Sequence, residues 1–434
     1  MNNPNNQILR LALPSIVTNV TVPLLGMADM AIVGHIGDAV YIGAIAVGSM
    51  VFNLIYWVFG FLRMGTSGMT AQARGARDFA GVITLLIRSV KVALLVSALI
   101  LVAQVPLRWV SFWLIDPSPE IVPLATLYFD ICVWGAPAMM VQYAVSGWYI
   151  GMQNTRVPML VAVFQNIVNI AASLLAVFVL KMKVDGIALG TVVAQYAGAA
   201  VSLLLWMNYY RKLWSYRRQS PLDSRRLSFL AFFRVNRDIF LRTLFLVMVN
   251  FLFLSVGASQ GTLILAVNTL LMQFYILFSY VMDGFAFAGE ALGGRYWGAG
   301  NAVSFKSVVR RLFAWGCMMV FLFTLSYVAL GRILVGLLTS DTAVVEASHE
   351  FFPWVLAIPA AGMAAFVWDG VFIGVTATRG MLAATFFSAV LFILTYSLLH
   401  TFMGNHALWL SFILFLLMRG CVQTFWFFRR LSPC

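Results

Sequence analysis

ILRLALPSIVTNVTVPLLGMADMAIV, residues 8–33, is the stretch whose reading decides the fold. At ~1.5 Å per residue it is long enough to cross a hydrocarbon core of roughly 30 Å. It holds one carboxylate, Asp29. An ionised Asp costs about 2.5–3.5 kcal/mol inside a bilayer, so it persists where it faces a cavity, a partner or a transported ion. Pro14 and Pro23 each remove a backbone hydrogen bond, and a bend near the carboxylate is expected. A bendable membrane helix with one acid suits an ion-driven machine. Its plainer role would be a hydrogen bond to a neighbouring helix.

The rest of the chain extends this pattern. Hydrophobic residues make up 62 % of the 434 and charged residues only 10 %, with a mean hydropathy of +0.93. Soluble domains are nearer half apolar and a quarter charged. The chain is therefore expected to be an all-α polytopic membrane protein whose first helix is retained rather than cleaved as a signal peptide. Twelve spans are expected: 8–33, 39–60, 82–105, 121–147, 157–180, 186–207, 239–256, 263–289, 306–330, 351–373, 381–402 and 407–428. Cys132, Cys317, Cys421 and Cys434 show no metal or disulfide spacing, and His35, His349, His400 and His406 show no ligand spacing.

The net charge of +13 is explained by its distribution. With both termini on one side, 24 of the 28 Lys and Arg residues fall on that side. Only Arg108, Lys181, Lys183 and Arg332 fall on the other. The positive-inside rule makes the rich side cytoplasmic, and the basic excess then marks topology and contact with anionic lipid rather than nucleic-acid binding.

The longest hydrophilic stretch, Asn208–Asp238, contains RKLWSYRRQSPLDSRR and separates two six-span halves, 1–207 and 239–434. An amphipathic interfacial helix is expected near Leu227–Phe233. The halves are copies at an offset of 223. RGARD at 74–78 falls on WGAGN at 297–301, Arg88 on Arg311, and SGWYIGMQNTR at 146–156 on DGVFIGVTATR at 369–379. Six spans per half is an even number, so the copies enter the membrane in the same direction. They are expected to be related by an axis along the membrane normal, with a cleft between them.

Five acids fall within or at the edge of spans: Asp29, Asp130, Asp283, Asp369 and Glu290. Asp283 and Asp369 each precede Gly in a repeated DG pair, so capping is the alternative role. Glu290 is expected at the surface, paired with Arg295. Among neutral groups, Asn166 and Asn169 are three apart on one helix, and Thr191, Gln195 and Asn250 are further polar residues within spans. Asp29, Tyr128, Asn169, Ser173 and Thr191 all fall in the first half at middle to outer depth, where one compact site is expected. Abundant Phe, Trp, Tyr and Met would suit flat organic cations. No Walker A sequence and no catalytic constellation is visible, so neither an ATP-driven pump nor an enzyme is expected.

The segments TVPLLGMADMAIVGHIG at 21–37, FLRMGTSGMTAQARGA at 61–76, NIVNI at 166–170, VDGIALGTVVAQY at 184–196, MDGFAFAGEA at 282–291, WDGVFIGVTATR at 368–379 and GNHALWL at 404–410 carry a resemblance. It is to the multidrug and toxic compound extrusion (MATE) family, DinF-type branch, over nearly the whole chain. The resemblance implies two pseudo-symmetric six-helix lobes around a cleft that opens alternately to each side. It implies a cation-coupled antiporter for amphipathic, often cationic organic compounds, sited in the bacterial inner membrane. It also implies that Asp29 is the acid of a first-lobe cation network, with Tyr128, Asn169 and Thr191 as neighbours. Many relatives carry a second Asp where this chain has Ser173. That leaves one acid, which favours H+ over Na+ and gives no tightly held metal. Other branches place an essential acid in the tenth span, and Asp369 is the nearest candidate. No cofactor beyond the coupling ion is implied. The expected partners are small substrates and lipids, and a monomer is expected. The alternative is a lipid-linked oligosaccharide flippase of the same superfamily, which would need Arg or Lys inside the lobes to hold pyrophosphate.

Overall fold

The computed structural model describes residues 3–34, 39–219 and 229–431, and among these the regular structure is helical with no strand. Among the described residues, twelve helices are long and apolar enough to cross a membrane. In order they are Pro4–Gly34, Val40–Gly75, Phe79–Val102, Val122–Gly151, Arg156–Val179, Val184–Tyr216, Leu230–Ser259, Thr262–Gly298, Ala302–Leu338, Thr342–Gly374, Thr378–Met403 and Asn405–Leu431. We number them spans 1 to 12. Each expected span is present, and several are longer than expected because their polar ends stay helical. His35 and the end of the first motif, SPLDSRRLS at 220–228 and Cys434 lie outside the described residues. The start of the expected interfacial helix lies there too, while its remainder from Leu230 belongs to span 7.

Span 1 is one uninterrupted helix from Pro4 to Gly34. Around its prolines, hydroxyls return to carbonyls of the preceding turn, Ser15 Oγ to Leu11 at 2.9 Å and Thr21 Oγ1 to Thr18 at 2.7 Å.

The chain forms two compact units, Val17–Phe232 and Met1–Ile16 with Phe233–Cys434, so the divisions fall inside spans 1 and 7. In the first unit, Phe52 stacks on Phe129 with ring centroids 5.2 Å apart, and Trp148 meets Tyr149, Trp206 and Tyr210 edge-on or nearly so. The short helix Gln104–Ile115 has no buried residue. Its Leu107 and Phe112 pack on the core, while Trp109 and Trp113 are exposed. In the second unit, Phe274, Phe278, Tyr327 and Phe366 form a comparable aromatic core. There Asn268, Asn405 and Trp409 share a buried set of hydrogen bonds of 2.8–2.9 Å between spans 8 and 12.

Each unit repeats the other's backbone devices 223 residues on. Asp78 caps span 3 by accepting from Gly81 N at 2.7 Å, and Asn301 caps span 9 by accepting from Ser304 N at 2.9 Å. Left-handed φ values recur in pairs: Arg77 with Gly300, Gln153 with Thr376, and Lys181 with Gly404. Such values are uncommon outside glycine, so three matched pairs mark a common loop geometry. Close helix contacts recur as well. A Cβ on Gly147 would lie 2.2 Å from the Arg63 carbonyl oxygen, and one on Gly370 would lie 2.2 Å from that of Ala286. One turn on, a Cβ on Gly151 would lie 2.6 Å from the Ser67 carbonyl oxygen and one on Gly374 would lie 2.7 Å from that of Glu290.

Candidate functional site

Within the unit Val17–Phe232, the five residues expected to form the site lie on spans 1, 4, 5 and 6. Asp29 is 6 % exposed, and its Oδ1 is buried with no hydrogen-bond partner among the described residues. Tyr128 lies within electrostatic reach of Asp29 and is held by the Ser49 hydroxyl at 3.4 Å. Its ring fills the notch left by Gly48, where a Cβ would lie 2.2 Å from it. One turn on, Cys132 also lies within reach of Asp29, and its thiol donates to the Ala188 carbonyl of span 6 at 3.8 Å.

Spans 5 and 6 bring the amides and hydroxyls together. Asn169 Nδ2 donates to Thr191 Oγ1 at 3.1 Å, and Thr191 donates in turn to the Ile187 carbonyl at 3.1 Å. Ser173 packs directly on Gly190, where a Cβ would lie 2.4 Å from its Oγ. Asn169 Oδ1 and Ser173 Oγ are buried and, among the described residues, unpartnered. An unsatisfied buried polar atom costs about 1–3 kcal/mol. The unpartnered carboxylate oxygen of Asp29 suits a proton or a small hard cation, and the orphaned oxygens of Asn169 and Ser173, four residues apart on span 5, suit the same chemistry.

The secondary candidates fall elsewhere. Asn166 pins span 5 to span 1 by donating to the Thr21 carbonyl at 3.0 Å. Gln195 is buried beside Tyr56 and fills the notch at Gly135. Asp130 is a correction: it is exposed and paired with Arg108 of the short helix, so it stands outside the buried cluster. The hydropathy of span 4 shows depth but not which face an acid occupies.

A second cluster lies in the other unit, and it overturns three expectations. Arg242 and Arg419 were expected at the cytoplasmic surface, yet they are 6 % and 2 % exposed. Both donate to Asp369 Oδ2, Arg419 at 2.6 Å, and Gln423 Nε2 donates to Oδ1 at 2.6 Å. Asp369 is therefore neither a helix cap nor a lone acid. Span 7 begins nearer the linker than expected, which carries Arg242 about three turns into the helix. Just before it, Asp238 is also buried, held by Arg237 at 2.9 Å and by the Thr378 hydroxyl at 3.1 Å. Asp283 is half-buried within electrostatic reach of Arg242 and Tyr275. Glu290, expected at the surface, is 1 % exposed. Neighbouring turns carried the signal that sequence reasoning missed, with Asp238 and Arg242, like Arg419 and Gln423, four apart on one helix face. Among the described residues there is no group of three or more His, Cys, Asp or Glu suited to a metal.

Comparison with known proteins gives one consistent result. Residues 14–175 and 239–397 match the MatE family. "DNA damage-inducible protein F" of Escherichia coli is 34 % identical over 410 residues, covering 94 % of this chain and 89 % of that protein. "Probable multidrug resistance protein NorM" of Thermotoga maritima is 26 % identical over 359 residues, covering 79 % of this chain and 74 % of that protein. Among solved structures, a MATE protein in the bent conformation superposes with a TM-score of 0.88 at 19 % identity, over 99 % of this chain and 96 % of that one. One in the straight conformation gives 0.87 at 20 %, over 99 % and 97 %.

Proposed function

This chain belongs to the MatE family, and from that premise we propose that it is an H+-coupled antiporter exporting amphipathic, often cationic organic compounds by alternating access. The observation that carries the reading is the buried carboxylate of Asp29 with an unpartnered oxygen, in a lobe where Asn169 and Ser173 hold two more. Protonating Asp29 cancels its charge in a low-dielectric setting. A conformation that depends on that charge then loses weight, and a cationic compound loses its counter-charge. The proton and the compound need not share a site. Coupling requires only that each favour a different conformation. Na+ is the alternative ion, and Ser173 in place of a second acid argues for the proton. We also propose a monomer in the bacterial cytoplasmic membrane, as the resemblance implies, with both termini in the cytoplasm, an orientation supported by the 24-to-4 distribution of basic residues.

The test is dye efflux from vesicles under separately imposed pH and Na+ gradients. Wild type is expected to respond to the pH gradient and Asp29→Asn to show no response while remaining folded. Ser173→Asp is expected to gain a response to Na+. Undiminished pH-driven efflux by Asp29→Asn would refute the assignment.

A second reading, the lipid-linked oligosaccharide flippase, gains one observation: Arg242 and Arg419 lie inside a lobe. Both already bond Asp369, whereas Asp29 keeps an unpartnered carboxylate oxygen, and that difference favours the antiporter.

A further inference from the structure

The Arg242–Asp369–Arg419 cluster has no part in that reading and stands in the other lobe. Two guanidiniums on one carboxylate leave an excess positive charge, with Asp283 a further acid in reach. Beyond those bonds, the Nε–H groups of Arg242 and Arg419 are buried with no acceptor among the described residues. Gln423 Oε1 is likewise buried with no donor. Nε–H is one prong of the planar fork by which Arg binds carboxylates and phosphates two-pronged. A buried donor left empty costs about 1–3 kcal/mol, so two such prongs on guanidiniums that share one carboxylate oxygen call for an acceptor.

The lobe's architecture does not require these charges. At the offset of 223, Ser146, Tyr196 and Ala200 stand where Asp369, Arg419 and Gln423 stand. The close approaches at Gly147 and Gly370 beside them are nonetheless alike, since a Cβ on either would lie 2.2 Å from a carbonyl oxygen. The same helix packing is thus built once with the cluster and once without it.

We propose that this cluster is an oxyanion-binding site, taking the carboxylate or phosphate group of a small compound or of a lipid headgroup. Asp369 is its built-in competitor and holds the two arginines when no ligand is bound. An arriving oxyanion accepts from the arginine N–H groups and displaces Asp369 from at least one of them. No covalent bond changes. Asp283 offsets the positive charge that the displaced pair would otherwise expose.

The full chain, purified into phosphatidylcholine nanodiscs, is dialysed against radiolabelled inorganic phosphate or benzoate with ionic strength fixed by chloride. Wild type binds one of the two saturably. Asp369→Asn, which lacks the competitor's charge, binds about tenfold more tightly, the scale of one charge-assisted hydrogen bond. Arg419→Gln loses binding. Should Arg419→Gln fail to fold, melting of Asp369→Asn decides the matter, because bound phosphate raises its Tm more than that of wild type. Replacing part of the phosphatidylcholine with phosphatidylglycerol separates the two sources. Displacement of phosphate supports a lipid headgroup as occupant, and undiminished binding supports a free compound. The proposal is overturned if neither wild type nor Asp369→Asn binds either anion saturably, if Arg419→Gln binds as wild type does, or if phosphate and chloride protect Asp369→Asn equally.

Discussion

The carboxamide of Asn169 donates to the Thr191 hydroxyl at 3.1 Å while its own Oδ1, buried one turn before Ser173 on the same span, accepts from nothing among the described residues. The bond fixes which way the amide points, so its oxygen and not its NH2 group is left without a partner among the described residues. Thr191→Val keeps the shape and removes the acceptor. It is expected to lower stability by about 1–3 kcal/mol, because Asn169 Nδ2 then becomes a buried orphan. It is also expected to slow gradient-driven dye efflux more than its stability loss explains. Denaturation in detergent beside vesicle efflux checks both, and normal efflux would remove Thr191 from the site.

The glycine contacts yield a prediction about packing. Gly147→Ala would press a methyl group onto the Arg63 carbonyl, a backbone atom that cannot move aside. Overpacking of this kind costs about 1–3 kcal/mol, and Gly370→Ala should cost a similar amount. Gly336→Ala is the control, since a Cβ there meets nothing within 4 Å and better helix propensity should make it neutral or slightly stabilising. Thermal melts of the three variants test the ranking.

Removing one member of a buried ion cluster is far worse than removing all of it. Asp369→Leu leaves two buried guanidiniums uncompensated and should cost about 3–5 kcal/mol. The triple variant Arg242→Met, Asp369→Leu, Arg419→Met should recover most of that loss. A triple variant no more stable than Asp369→Leu alone would show that the charges are not what strains the single variant.

Asp130 serves as the counterexample to Asp29. It is half-exposed in a pair with Arg108, and such pairs are worth about 0–1 kcal/mol. Asp130→Asn should leave both melting and efflux near wild type. A large loss of efflux would return Asp130 to the list of coupling acids.

Spans and repeat were legible because each is written in neighbouring residues, as long apolar runs and a constant offset, and the burial of Asp29, Asn169 and Ser173 follows from polar groups set within apolar helices. The Arg242 and Arg419 cluster was not legible. Hydropathy treats each cation alone, and so it pushed both to the nearest membrane edge. Burial here depends on an Asp more than a hundred residues from Arg242, a partnership one sequence does not display. Glu290 and Asp130 were misplaced for the related reason that a window average fixes how deep a residue lies but not which way its helix turns it.

The frame recurs at Gly147 and Gly370, yet the residue just ahead of each glycine differs, Ser146 in one copy and Asp369 in the other. Duplication has thus left two mounts of one design that carry different fittings. An engineer could exchange the fittings, taking the charged group out of one copy or installing it in its twin, and leave the mounts alone.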